Sequence, residues 1–73
     1  MPKSTNKTLK TLGRKIQKLR KDKKVSQEKL AEEMGISRVY VGYIEQGRES
    51  PSLKLLIKLA RKLGVKVDSL FHR

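Results

Sequence analysis

An all-α domain of five short helices is the fold class that this sequence predicts. Three observations carry the prediction. Apolar residues recur every third or fourth position, and no strand pattern appears. A serine stands just ahead of three of the apolar runs, at Ser26, Ser37 and Ser52. A glycine stands just behind the same three, at Gly35, Gly47 and Gly64. Serine caps a helix start by accepting from a backbone N–H one turn in, and glycine ends a helix by taking the left-handed conformation.

Leu9, Leu12, Ile16 and Leu19 mark one face of the first helix, over about residues 8–22, with Lys10, Lys15, Lys18 and Lys21 on its wet sides. Residues 1–8 lack an apolar period and are expected to form a flexible basic arm, which leaves 9–73 as the folded domain. Val25 is expected to point inward from the connecting turn. Leu30, Ala31 and Met34 give the second helix, about 27–34, its inner face, and Glu28 suits the positive end of its dipole. Val41 and Ile44 do the same for a third helix at about 38–46. Pro51 pushes Ser50 toward extended geometry in the following loop. Leu53, Leu56, Ile57, Leu59, Ala60 and Leu63 are expected to form a broad apolar face on the fourth helix. A last turn, Val67 to Phe71, should close the core with Leu70 and Phe71.

Composition narrows the function. Seventy-three residues make one domain. There is no cysteine, so disulfides and thiolate metal sites are excluded. The single histidine, His72, is terminal, and metal sites need more ligands than it offers. No nucleophile, base and oxyanion set can be assembled, so an enzyme, a metal and a cofactor are not expected. The opening MPKSTNKTLK has no apolar run for a signal peptide or a membrane span, and the protein reads as cytoplasmic, acting at the nucleoid. The net charge of +12 favours a polyanionic partner. That charge is uneven. Residues 1–24 carry ten of the nineteen Lys and Arg and one acid; residues 25–51 carry three against five acids; residues 52–73 carry six against one. The basic flanks supply general attraction to phosphate, and the middle is nearly balanced.

The middle holds the motif. Only Gly35-Ile36-Ser37 separates the second helix from the third. A helix, a three-residue turn with glycine and a second helix form a helix-turn-helix. Ala31 is small where the two helices cross, and Ile36, Val41 and Ile44 are apolar where the unit packs inward.

The stretches LGRKIQKLRKDKKVSQEKLAEEMGISR, IEQGRESPSLKLLIKLARKLGV and VDSLF together resemble the phage-repressor and Cro-like helix-turn-helix family, also called the xenobiotic-response-element family. The resemblance runs from Leu12 to Phe71. It implies a lambda-repressor-like domain that binds double-stranded DNA with its third helix in the major groove and regulates transcription. It implies that Gln27 contacts phosphate and braces the recognition helix. It matches Ser37 and Arg38 to the cap and first residue of that helix, and Val39, Tyr43 and Gln46 to its outward face. Gln46 and Arg48 match positions that often touch phosphate. It also implies a partly buried ion pair between Arg20 and Glu45 under the DNA-binding face.

Chemistry gives these side chains roles. A helical wheel independently turns Val39, Gly42, Tyr43 and Gln46 away from the core. Arg38 can grip guanine O6 and N7 bidentately, or contact phosphate. Val39 offers only apolar contact and suits a thymine methyl, where family members with glutamine read adenine. Tyr43 can meet a base edge or a phosphate. Tyr40, on the flank, is either a packing residue or a phosphate donor. Gly42 either lets the helix approach DNA or is simply a tolerated small residue.

Three function classes fit a basic helical domain. A sequence-specific regulator leads. An antitoxin or other protein-interaction module on the same fold would show a stoichiometric protein partner. A general RNA or ribosome binder would not need the surface from Gln27 to Gln46. One recognition helix spans too few base pairs for specificity in a genome. A regulator of this kind is therefore expected to pair as a dimer on a palindromic operator. Val67, Leu70 and Phe71 are largely committed to the core, so the free protein should be a monomer or a weak dimer. No ligand-sensing domain is read after Phe71, and either a minimal regulator or a DNA-binding domain fits.

Overall fold

The computed structural model describes the backbone of residues 2–72 and the side chains of residues 7–72. Four α-helices follow in chain order: α1 Pro2–Asp22, α2 Gln27–Met34, α3 Arg38–Glu45 and α4 Leu53–Leu63. A 3₁₀ turn, Val67–Phe71, closes the chain. No strand occurs among the described residues.

The caps act where the sequence put them. Ser26, Ser37 and Ser52 each sit in extended backbone and accept from the N–H three residues on, at 3.0, 3.0 and 3.1 Å. Gly35 and Gly64 end α2 and α4 in the left-handed region, both at φ 75°. Gln46 caps α3 in the right-handed region, and Gly47 then turns the chain at φ 77°.

α1 differs from expectation. Its backbone is helical from Pro2, not from about residue 8. Proline fits a first helical position, because its fixed φ suits the helix and its missing N–H had no partner to lose. Apolar periodicity reports burial rather than helicity, so a helix that continues past the edge of the core leaves no such mark. The side chain of Lys3, in the expected arm, lies outside the described residues.

The core gathers Leu12 and Ile16 from α1, Leu30, Ala31 and Met34 from α2, Val41 and Ile44 from α3, and Leu70 from the closing turn. Val25 is half-buried against it, as expected. From α4 the buried set is Leu55, Leu56, Leu59, Ala60 and Leu63. Leu55 therefore joins the face, while Leu53 and Ile57 leave it, at 66% and 41% exposed. These two lie one turn apart on a flank that the core does not reach. Phe71 is also outside, at 37% exposed, while Leu70 is fully buried. The 3₁₀ geometry explains this correction. With three residues per turn, Val67 and Leu70 share the inner side and Phe71 is rotated away.

Two lysines of α4 tie it to α2. Lys58 Nζ donates to the Met34 carbonyl at 3.1 Å, near the negative end of α2. Lys62 Nζ meets Glu33 Oε1 at 2.7 Å. That hydrogen bond holds the Glu33 carboxyl below the usual carboxylate range against the opposing effect of burial, with the charges of Lys62 and Lys29 adding to it.

Candidate nucleic-acid interface

α2 and α3 are joined through Gly35, and Ile36 N donates back to the Ala31 carbonyl at 3.0 Å. This closes the left-handed end of α2 and brings the chain round to Ser37, which starts α3. Four of the eight α3 residues are buried: Val41, Gly42, Ile44 and Glu45. Arg38 and Gln46 are exposed, Val39 is half exposed and Tyr43 is half-buried.

The expected ion pair is present and is the structural centre of the site. Arg20 Nε donates to Glu45 Oε2 at 2.6 Å, and its Nη2 reaches Oε1 at 3.3 Å. Arg20 Nη1 donates to the Val25 carbonyl at 2.7 Å. Both residues are buried, at 7% and 6% exposure. A buried carboxylate needs several donors to offset its lost hydration. Glu45 has them, because Gln27 Nε2 and Gln17 Nε2 also donate to Oε1, at 2.9 and 3.3 Å. No buried side-chain nitrogen or oxygen is left without a partner among the described residues.

Gly13 of α1 completes the clamp. A Cβ at Gly13 would lie 2.4 Å from the Ile44 carbonyl oxygen and 2.5 Å from that of Glu45. The backbone of α1 therefore seats directly on the last turn of α3. One helical turn earlier, Lys10 also lies close to Gly47, where an added Cβ would fall 3.0 Å from the Lys10 Cα. Lys10, Gly13, Gln17 and Arg20 thus form one line along α1 that holds the C-terminal end of α3. Sequence reading found only Arg20 in that line. The available signal for Gly13 was a glycine inside an amphipathic helix, where it costs ~1 kcal/mol against alanine and so marks a close approach. Gln17 carries no signal in the sequence.

The sequence-predicted side chains form two groups on the outer surface. In the first, Arg38 Nη1 donates to Gln27 Oε1 at 2.8 Å. Gln27 also borders Gly42, since a Cβ there would meet Gln46 Nε2 at 3.9 Å and Gln27 Nε2 at 4.0 Å. Gly42 is thus covered by two glutamines, where the wheel had turned it to solvent. In the second group, the Arg48 guanidinium stacks 4.3 Å from the Tyr43 ring centroid. Tyr40 stands apart from both. It packs against the core and faces Met34, Ile36 and Lys58. Packing, one of the two roles that the sequence allowed, is therefore present.

Comparison with known proteins places this arrangement. A helix-turn-helix family model, HTH_3, matches residues 16–70. The chain belongs to this family. The immunity repressor of Bacillus phage phi105 is 40% identical over 60 residues, a match that spans 82% of this chain but only 42% of that repressor. The control protein C.MunI of a Mycoplasma species is also 40% identical over 60 residues, with 81% of each chain covered. Among solved structures, the restriction-modification controller C.AhdI of Aeromonas hydrophila is 40% identical with a TM-score of 0.80, covering 86% of this chain and 96% of that one. These relatives are named as a repressor, a control protein and a controller, and a further one, from Methanocaldococcus jannaschii, as a helix-turn-helix transcriptional regulator. No helix among the described residues is long and apolar enough to cross a membrane.

Proposed function

We propose that this chain acts as a sequence-specific regulator in the cytoplasm, at the nucleoid. α3 lies in the major groove of a palindromic operator, and the protein works by binding and not by catalysis. One observation carries the reading. The outward face of α3 is held at a fixed angle by a buried ion pair and a backbone-to-backbone seat, while its exposed residues are those able to read bases. Arg38 is the guanine reader and Val39 the thymine-methyl contact. Tyr43, Gln46 and Arg48 meet the edge of the site, with Arg48 pre-oriented on the Tyr43 ring. Ser37 leaves its backbone turn close to phosphate, and Tyr40 supports the helix from behind. The basic side chains of residues 1–8 and of α1 add contacts to the DNA backbone.

The operator is read by two copies. Leu53, Ile57 and Phe71 leave apolar surface outside the core on the α4 and C-terminal side, so more is available for pairing than the sequence suggested. Three partly exposed side chains make a small contact, well below a standard interface, which fits a dimer completed on DNA.

The reading is tested by selecting bound duplexes from a random DNA library with the native chain and with Arg38→Ala. The native chain should enrich an inverted repeat. Arg38→Ala should relax preference at one position per half-site, at a cost of about 1–3 kcal/mol. Equal weakening on all sequences would make Arg38 a phosphate contact. Failure of the native chain to enrich any sequence would remove the regulator reading.

A further inference from the structure

Three parts of the chain meet imperfectly beside Phe71. Leu9 and Leu12 come from α1, and Pro51 and Leu56 come from the start of α4 and the loop ahead of it. Phe71 comes from the closing turn, whose 3₁₀ geometry rotates its ring out of the core. Between them lies an open hollow of about 340 Å³, rimmed by Thr8 and Ser50. Its floor is core. Leu12, Pro51 and Leu56 are buried, Leu9 is half-buried, and Phe71 stands as a wall at 37% exposure. A second hollow, of about 320 Å³, shares Thr8 and Phe71 with the first and adds Thr11 and Lys7. Together they form one cleft with an apolar bottom, hydroxyls along its edge and a cation on the α1 side. Lys7 is the one charged group among the described residues that line it. Glu49 precedes Ser50 but lines neither hollow.

We propose that this cleft is a binding site for a small amphiphilic anion, with its apolar body on Leu12, Leu56 and Phe71 and its carboxylate on Lys7. Size, polarity and charge each narrow the class. A hollow of this volume lies at the small end of ligand pockets, which suits an aliphatic or aromatic acid and is too little for a nucleotide. Leucine and phenylalanine at the bottom favour a body that gains by leaving water. The Lys7 ammonium donates hydrogen bonds and never accepts them, so the head group has to be an acceptor, and a carboxylate also brings the opposite charge. Thr11 stands one helical turn from Lys7 on the same side of α1, so its hydroxyl lies beside that ammonium. A DNA backbone has no apolar body to fill the floor, and the other lysines of the chain offer charge without such a floor. The site is separate from the base-reading surface, since none of Arg38, Val39, Tyr43 and Gln46 lines it. An occupant would nevertheless rest on Ser50 and Pro51, in the loop that carries the chain from α3 to α4.

The test titrates the isotope-labelled native chain with octanoate, octanol, octylamine and acetate, and follows the backbone amides by NMR. Octanoate should shift Thr8, Leu9, Thr11, Leu56 and Phe71 to saturation and leave Arg38 and Val39 in place. Octanol should bind roughly two- to fivefold more weakly, the value of one exposed ion pair, and octylamine more weakly still. Acetate, which lacks the apolar body, should bind at least about tenfold more weakly than octanoate. Lys7→Gln should bring octanoate down to the level of octanol. Lys18→Gln, which removes the same charge elsewhere on the exposed side of α1, should leave octanoate binding unchanged. Equal affinity for octanoate, octanol and octylamine would leave only an apolar patch and overturn the anion assignment. Equal losses from Lys7→Gln and Lys18→Gln would reduce the effect to the net charge of the chain and overturn it as well. Shifts spread over the lysine-rich surface that spare Leu9 and Leu56 would remove the site altogether. Leu9 and Thr11 amides that move with protein concentration alone would give the cleft to a second copy of this chain instead.

Discussion

Gly13 and Gly42 both lie inside helices, and alanine should act oppositely at the two. In a helix interior, alanine is favoured over glycine by ~1 kcal/mol. At Gly42 nothing opposes that gain, since the added Cβ would meet only two flexible amides, at 3.9 and 4.0 Å. Gly42→Ala should therefore stabilise the protein by about 1 kcal/mol. At Gly13 the added Cβ would stand 2.4, 2.5 and 2.8 Å from backbone atoms of Ile44 and Glu45. Ordinary carbon–oxygen contacts lie near ~3.3–3.6 Å, so α1 and α3 must separate by roughly 1 Å. Overpacking of this kind costs about 1–3 kcal/mol, and here the yielding atoms are backbone carbonyls and not side-chain ends. The shift also strains the Arg20–Glu45 bonds, which places the result toward the upper end of that range. For a domain of this size, about 1 kcal/mol moves the melting temperature by roughly 4–8 °C. Thermal unfolding followed by circular dichroism should thus rank Gly42→Ala above the native chain and Gly13→Ala well below it. Gly13→Ala equal to or above the native chain would mean that α1 does not sit on the end of α3. Loss of DNA affinity in Gly42→Ala without loss of stability would restore the reading in which DNA approaches that glycine.

Four further outcomes follow from the same geometry. Alanine at Arg20 or Glu45 should each cost on the order of 3–5 kcal/mol by leaving a buried charge unpaired, and a double-mutant cycle in denaturant should show strong coupling; additive losses would mean that packing alone sets the angle of α3. Neutralising a phosphate-contacting lysine among Lys3, Lys7, Lys10 and Lys15 should lower the log–log salt slope of DNA binding by about one unit without changing base preference, and a slope unaltered after all four are neutralised would detach the N-terminal charge from DNA. The Glu33 carboxyl is held below its ordinary value by Lys62, so its contribution is present at neutral pH and disappears as pH falls through its folded value. Glu33→Gln should accordingly lower stability at neutral pH and match the native chain in acid, and a constant difference across that range would deny the pairing. Sedimentation should find a monomer or weak dimer in free solution and two chains on a full operator; one chain saturating that operator would overturn the paired mechanism.

The sequence was legible wherever a local rule acts at a fixed spacing. Ser26, Ser37 and Ser52 cap within three residues of themselves, and Gly35 and Gly64 terminate the helix that they follow, so these boundaries agree closely. Periodicity was less informative at α4. Five consecutive residues include Leu53, Leu55, Leu56 and Ile57, and which of them faces inward depends on where α1 and the closing turn lie. Leu70 and Phe71 posed the same problem, because a 3₁₀ turn and an α-turn direct adjacent residues differently. The Arg20–Glu45 pair was foreseen through family resemblance and not through spacing, since 25 residues separate the partners. Gln17 and the contact between Gln27 and Arg38 belong to that same long-range network. They depend on how α1, α2 and α3 come together, which no window of sequence contains.

The two sides of α1 differ in character. The line through Lys10, Gly13, Gln17 and Arg20 faces α3, and it acts at Gly13, Gln17 and Arg20 through shape and hydrogen bonding. The exposed side carries Lys7, Arg14, Lys18 and Lys21, and most of the charge excess of the chain lies in this N-terminal third. The helix that carries most of the positive charge is therefore the one that clamps α3. Because the Gly13 seat is backbone against backbone, a phosphate contact made by α1 under the proposed function would also fix the register of α3 on the bases. A flexible basic tail would raise affinity without fixing that register. Charge placed on a helix rigidly joined to α3 would do both, which is why substitutions of the exposed lysines of α1 should alter salt dependence, while those at Gly13, Gln17 and Arg20 should alter the stability of the clamp and the angle at which bases are read.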